Sequence, residues 1–368
     1  MNTSKVYFTD FRAVNDENLM QKMQRLAITA GINQIDFNNK YVAIKLHFGE
    51  YGNLSFLRHQ YAKALAELVR EMGGKPFLTD CNTLYVGSRK DALEHLDTAY
   101  ANGFFPMATG CQVLIADGLK GTDEVYVPVD GGEYVKEAKI GRAIMDADIV
   151  LSLNHFKGHD LAGFGGALKN IGMGCGSRAG KMEMHSNGKP SVEQENCIGC
   201  KICAKVCAHD APQFDSGKAV IDPEKCVGCG RCLGECPADA VVSANDCDSK
   251  FLNYKMAEYT KAVLDGRPHF HISLIRDVSP HCDCYNRNDA PIISDVGMLA
   301  SFDPVALDVA CADLCNAQPI LPNSKLADLP HHHDHFIANH PNTDWRTCVE
   351  HAEKLGIGMQ KYELVRIK

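Results

Sequence analysis

Eight cysteines between Cys197 and Cys236 repeat one spacing twice, Cys197-x2-Cys200-x2-Cys203-x3-Cys207 and Cys226-x2-Cys229-x2-Cys232-x3-Cys236-Pro237. Thiolate sulfur is soft enough to hold iron-sulfide cubes, and the short spacers wrap three ligands around one cube while the fourth reaches across. Where two such runs occur together, the fourth cysteine of each ligates the other cluster. The spacing therefore predicts one 4Fe-4S cluster on Cys197, Cys200, Cys203 and Cys236, and a second on Cys226, Cys229, Cys232 and Cys207. Zinc also takes Cys-x2-Cys pairs, but a zinc site does not ask for a third cysteine at x2 and a fourth at x3. Ala208, rather than proline, follows Cys207, which departs from the pattern without removing a ligand.

Most of the chain lies outside those runs. With 368 residues, 45% of them hydrophobic and 23% charged, it can bury a full core, which predicts one large domain plus a small cluster-bearing module. The sequence enters a strand-like pattern within its first residues and holds no apolar run long enough to cross a bilayer. A cytoplasmic protein is the expectation, and the 17 cysteines then belong to a reducing, oxygen-poor interior rather than to disulfides. A net charge of -8 without clustered Lys and Arg argues against nucleic acid and a membrane surface as partners.

Strand-like and helix-like segments alternate along the chain. Residues 41–47, 75–80, 111–116 and 148–153 are apolar runs of buried-strand length, and 58–72 and 88–101 read as helices between them. This predicts an α/β fold, a mostly parallel sheet with helices on both faces. The cysteine runs interrupt the alternation, which resumes with a helix over 251–264, a strand over 269–275 and a helix over 303–315. The expected organisation is an α/β domain made of residues 1–190 and 247–368, carrying a ferredoxin-like α+β insert over 191–246 whose ends emerge close together.

Several constellations outside the runs carry chemistry. Lys45 and His47 end the first strand, and alternation puts both on one face. Ligands of open α/β sheets bind outside the carboxyl ends of strands, so the two read either as a surface pair or as contacts for an anion. Asn154-His155-Phe-Lys157-Gly-His159 follows another strand end, and its imidazoles and ammonium offer acid/base, anion or metal chemistry. His47, His155, Lys157 and His159 are accordingly the candidate catalytic residues. In Gly163-Phe-Gly165-Gly166-Ala-Leu-Lys169-Asn170 the glycines let backbone approach a ligand, and a helix starting near Ala167 would aim its amides at phosphate or carboxylate. The spacing is neither a Walker loop nor a dinucleotide fingerprint. Lys45, Gly165, Gly166, Lys169 and Asn170 are the candidate cofactor contacts, and Lys181 and His185 lead on toward the cysteine runs. Cys282-Asp-Cys284 reads as reduced thiols in a tight turn or, completed by Cys175 or a histidine, as a further metal site. Asp303 before Pro304 fits a helix cap and first-turn proline, whereas Asp308 has no such local explanation. The histidines of 331–335 read as a solvated loop.

Taken in order, Lys45-Leu-His47, Asn154-His-Phe-Lys-Gly-His159, Gly166-Ala-Leu-Lys-Asn-Ile-Gly172, Ser177-Arg-Ala-Gly-Lys181, the cysteine runs, Cys282-Asp-Cys284 and Ser301-Phe-Asp-Pro-Val-Ala-Leu-Asp308 resemble one known family. It is the domain of unknown function 362, in its iron-sulfur-containing branch. The resemblance implies a cytoplasmic α/β domain with a ferredoxin-type insert and leaves the substrate open. The functional expectation is an oxidoreductase whose two 4Fe-4S clusters pass single electrons between a redox protein partner and an anionic small molecule, or a flavin, bound in the α/β domain. Alternatives are a non-catalytic electron carrier, and a metal or sulfur delivery protein that uses Cys175, Cys282 and Cys284 to bind metal beyond the clusters.

Overall fold

The computed structural model describes residues 3–13, 16–85, 87–186, 189–244 and 248–367. Eight strands form one sheet: β1 Ser4–Asp10, β2 Tyr41–Lys45, β3 Lys75–Asp80, β4 Gln112–Ile115, β5 Ile149–His155, β6 His269–Ile275, β7 Gly297–Ser301 and β8 Tyr362–Arg366. Their order is β8-β1-β7-β6-β5-β2-β3-β4, and all run parallel except β7, which opposes both neighbours. The longer helices are α1 Leu19–Thr29, α2 His59–Glu71, α3 Ala92–Ala101, α4 Ala167–Cys175, α5 Arg178–Ser186, α6 Ser249–Leu264, α7 Pro304–Asn316 and α8 Arg346–Lys354.

The fold is the expected one, a mostly parallel sheet covered on both faces. β5 is buried along its whole length, as an inner parallel strand must be. Side-chain alternation divides it, with Ile149, Leu151 and Leu153 packing toward α1, α2 and α3 and Val150 toward α4, α6, α7 and α8. α6 lies so close to α4 that a Cβ on Gly172 would stand 2.2 Å from the Met256 carbonyl oxygen. Among the described residues no helix is long and apolar enough to cross a membrane.

Helix starts follow from caps. Asp303 accepts from the Val305 and Ala306 main chains ahead of Pro304, as its position suggested. α4 has no capping side chain from its own segment, and Asp308 of α7 supplies one by accepting from Ala167 N at 2.7 Å and Leu168 N at 2.9 Å. A Cβ on Gly166 would lie 2.3 Å from that carboxylate, so glycine is required there for close packing. α3 begins at Ala92 rather than Ser88, because Asp91 caps it while Ser88 hydrogen-bonds Glu50. β2 stops at Lys45, two residues before the expected end, and β5 continues past Leu153 to His155.

Between Pro190 and Ser243 no strand joins the main sheet. Pro190–Val192 pairs antiparallel with Val241–Ser243, Pro190 opposite Ser243, so this segment departs and returns side by side. Inside it Pro212–Gln213 pairs with Val220–Ile221. Two one-turn helices, Ile202–Lys205 and Arg231–Gly234, each follow a left-handed residue, Lys201 (φ 62°) and Gly230 (φ 66°), so the repeated cysteine spacing becomes a repeated backbone course. Residues 245–246, at the expected end of the insert, lie outside the described residues.

Candidate functional site

A cavity opens at the carboxyl ends of the adjacent strands β5, β2 and β3, with α4, α5 and Cys284 completing its wall. Lys45, His47, His155, Lys157, His159, Gly165, Gly166, Lys169 and Asn170 all line it, as do Asp80, Arg89, Lys181 and His185. Residues far apart in sequence thus converge because strand ends share an edge.

Lys45 Nζ lies 2.9 Å from Asp80 Oδ1 and donates to Asn170 Oδ1 at 2.8 Å. The Asn170 amide donates in turn to the Lys45 carbonyl (3.1 Å) and to Asn154 Oδ1 (2.7 Å), which fastens α4 to the strand ends. Burial works against the Asp80 carboxylate, but its neighbours, the Lys45 ammonium foremost, outweigh it and hold its pKa well below the usual range. Arg89, also buried, donates from Nε to Glu50 at 2.9 Å, and its Nη2 has no hydrogen-bond partner among the described residues. His47 accepts from Gly49 N at Nδ1 (3.0 Å), and burial together with Arg89 pushes its pKa well below the ordinary value. It therefore stays neutral with its hydrogen on Nε2. His155 is different: Nδ1 meets Asp283 Oδ2 at 2.8 Å and Nε2 donates to the Arg276 carbonyl at 2.7 Å, so neither ring nitrogen is open to a ligand. Lys157 Nζ lies 3.3 Å from the same carboxylate. Lys45, Lys157, Lys169, Lys181 and Arg89 outnumber Asp80, Asp283 and Glu50, which suits the cavity to an anion.

The Tyr285 main chain donates to the Cys282 carbonyl at 3.2 Å, closing a turn. It brings Cys282, Cys284 and His159 together with their ligand atoms within 4.8 Å of one another. A hydrogen bond from Cys284 pulls the Cys282 thiol down; burial opposes this, but Lys169 (Nζ to Sγ 3.7 Å), Lys157 and His159 add to it, so its pKa falls well below the ordinary value. The hydrogen bond that Cys284 gives, and its burial, push its own thiol up. His159 Nδ1 accepts from Leu161 N (3.1 Å) and Ala162 N (3.0 Å), which leaves its hydrogen on Nε2 as a donor to Cys282. A metal-bound imidazole instead donates from its second nitrogen to an acceptor, so this ring is set to hold a thiolate rather than an ion. Cys175, the other suggested partner of the pair, is absent from that group among the described residues. Its carbonyl accepts from the Cys81 thiol at 3.4 Å, and burial pushes its own thiol up to about 11. The 331–335 histidines lie away from the cavity, with His332 Nε2 3.1 Å from His335 Nδ1.

Two hollows occur in the 190–243 segment. One is lined by Cys197, Cys200, Cys203 and Cys236, the other by Cys207, Cys226, Cys229 and Cys232. Each takes three sulfurs from one run and a fourth from the other. Ala219 N donates to Cys197 Sγ at 3.4 Å. Leu84 and Met182 share a small core with Cys203, Leu233 and Val241, and Leu84 also lines the cavity, so apolar contact links hollows and cavity.

Asp80, Arg89, Glu50 and Asp283 belong to the site without having been singled out in the sequence. Asp80 ends β3 as Lys45 ends β2, a shared position that was available as a signal; Arg89 and Glu50 sit in loops that carry no pattern.

Residues 42–313 match the family described as Domain of unknown function (DUF362). The thylakoid-associated protein sll1697 of Synechocystis sp. is 28% identical over 130 residues, 34% of this chain and 34% of that protein. Among solved structures, the lactate racemase apoprotein from Thermoanaerobacterium thermosaccharolyticum gives a TM-score of 0.37 at 12% identity, over 74% of this chain and 51% of its own. A Thermotoga maritima protein gives 0.36 at 13% identity, over 77% and 55%. The chain spans about a third of that curated relative (34%) and about half of those solved chains (51% and 55%).

Proposed function

The chain belongs to the DUF362 family, and from that premise we propose that it is an iron-sulfur electron-transfer protein, an oxidoreductase working on an anionic small molecule or flavin held in the α/β domain. The observation that carries this reading is the crossed lining of the two hollows by the two cysteine runs. Cys197, Cys200, Cys203 and Cys236 would hold one 4Fe-4S cluster, and Cys226, Cys229, Cys232 and Cys207 the other, within a ferredoxin-like insert over 191–246. When bound, such clusters supply single-electron transfer at potentials set by hydrogen bonds and exposure. The Ala219 N–H on Cys197 is one such hydrogen bond, and Leu84 and Met182 form an apolar core with Cys203 on the side of the cavity that Leu84 lines. Cys200 and Cys229 are exposed beside Ile198 and Val227, equivalent positions in the two runs, which offers a redox protein partner an apolar face at each cluster.

In the cavity, the free Nη2 of Arg89 and the ammonium groups of Lys157 and Lys169 would hold a carboxylate or phosphate, and neutral His47 would donate from Nε2 to it. His155 has no free nitrogen, so its part is to position Asp283. The test is to denature protein purified without oxygen and identify what it releases by mass spectrometry. Wild type is expected to release a stoichiometric carboxylate or phosphate ester, and Arg89→Met to lower its occupancy about tenfold or more with iron unchanged. A protein that releases no anion and binds no flavin nucleotide would contradict the reading.

A further inference from the structure

Clusters move electrons singly, whereas most small-molecule substrates change by pairs, and Cys282 and Cys284 stand beside the cavity with their sulfurs within 4.8 Å of each other. We propose that Cys282 and Cys284 are a redox-active dithiol/disulfide pair, the two-electron store between the clusters and the anion-binding cavity; the inference rests on the electron-transfer reading above. The turn closed by Tyr285 N on the Cys282 carbonyl draws their Cα atoms together, the direction a disulfide's window of roughly 4.4–6.8 Å requires. Asp283 between them is held by His155 and Lys157, which anchors the turn that carries both cysteines. Cys284 lines the cavity, and Cys282 lies behind it against Lys169 and His159.

The step balances as follows. In the oxidised form one S–S bond joins the pair. Two electrons, which the 4Fe-4S clusters would supply one each, break that bond; one proton taken up through the cavity makes Cys284 a thiol, and Cys282 is left as thiolate. In reverse the S–S bond forms, two electrons leave and the Cys284 proton is released. Lys169, Lys157 and the His159 N–H favour the thiolate that results, and a stabilised thiolate is the better leaving sulfur. A metal at this group would need His159 to donate from Nδ1, which instead accepts from two main-chain N–H groups.

Trypsin releases the turn as peptide 277–287, bounded by Arg276 and Arg287 and containing no other cysteine. Full-length protein purified without oxygen, its iron counted first, would be equilibrated with thiol/disulfide buffers of graded ratio, alkylated and digested. The expected result is reversible conversion between a doubly alkylated peptide and an unalkylated one lighter by two hydrogens. Titration of the thionine-oxidised protein with reduced methyl viologen should consume about four electrons per chain, against about two in Cys284→Ser with iron unchanged. Fewer than about eight irons per chain would overturn the electron-transfer reading, and the store with it. With iron in place, a peptide that alkylates at both cysteines at every ratio, or a wild type that takes about two electrons, overturns the dithiol pair alone. Stoichiometric zinc lost in Cys282→Ser would overturn it too. The peptide measurement needs no variant and decides the matter even if Cys284→Ser fails to fold.

Discussion

Lys45 and Asp80 place two almost fully buried charges 2.9 Å apart at the floor of the cavity. Removing one partner of such a pair leaves the other charge uncompensated, at a cost of about 3–5 kcal/mol, while replacing both with apolar groups is far less harmful. Lys45→Met is expected to lower the urea unfolding free energy by that amount, and Lys45→Met/Asp80→Leu to recover most of it. A double-variant loss equal to the sum of the losses in Lys45→Met and Asp80→Leu would show that the two residues are not coupled. At this scale the sequence was informative wherever position in an element assigns a role. Lys45 ends β2 and His47 follows in the loop beyond it, so it was their place at a strand's carboxyl end, not alternation, that made their meeting in the cavity legible. Asp283 stood in plain view between two cysteines, but its role depends on His155, 128 residues away in the chain, and no local pattern reports such a partner. The free acid/base character read into His155 failed for the same reason, since the Arg276 carbonyl that occupies Nε2 lies on another strand's end.

Helix α4 carries Lys169 and Asn170 into the site, and its start is set by a carboxylate from another helix. Burial pushes the Asp308 pKa up to about 7, against the pull of the Leu168 and Ala167 amides. An unfolded aspartate titrates near pH 3.9, roughly. Between about pH 4 and 7 the folded chain therefore keeps a proton that the unfolded chain has lost, and this group's contribution to stability falls as pH rises through that window. At full extent the change is on the order of 4 kcal/mol. Asp308→Asn cannot ionise and should flatten that part of the slope in denaturant curves recorded across the window; an unchanged slope would contradict the assignment. Elements were legible where the apolar run and the cap are local, as for β6 and for the start of α7. β5 was read short because it runs on through polar Asn154 and His155, held there by pairing with Ser273 and Leu274 of β6. The antiparallel β7, Gly-Met-Leu-Ala-Ser, carries no alternation that would reveal its direction, and the hairpin Glu124–Pro128 with Glu137–Gly141 lay outside the alternation of strands and helices.

In the whole molecule, the cavity and the two hollows are joined through Leu84, Met182 and the buried Arg178, onto which a Cβ at Gly234 would fall. The order of strands in the sheet, which decides that β5, β2 and β3 share one edge, is a long-range property, and the sequence supplied only the alternation from which a parallel sheet follows. The crossed lining of the two hollows by the cysteine runs, by contrast, is the arrangement that the spacing predicts, because a two-cluster pattern sends the fourth cysteine of each run to its neighbour. The account stands on that pairing. Iron and acid-labile sulfide, counted per chain in full-length protein purified without oxygen, test it most directly: about eight of each are expected, whereas tetrahedral zinc with no sulfide would contradict it.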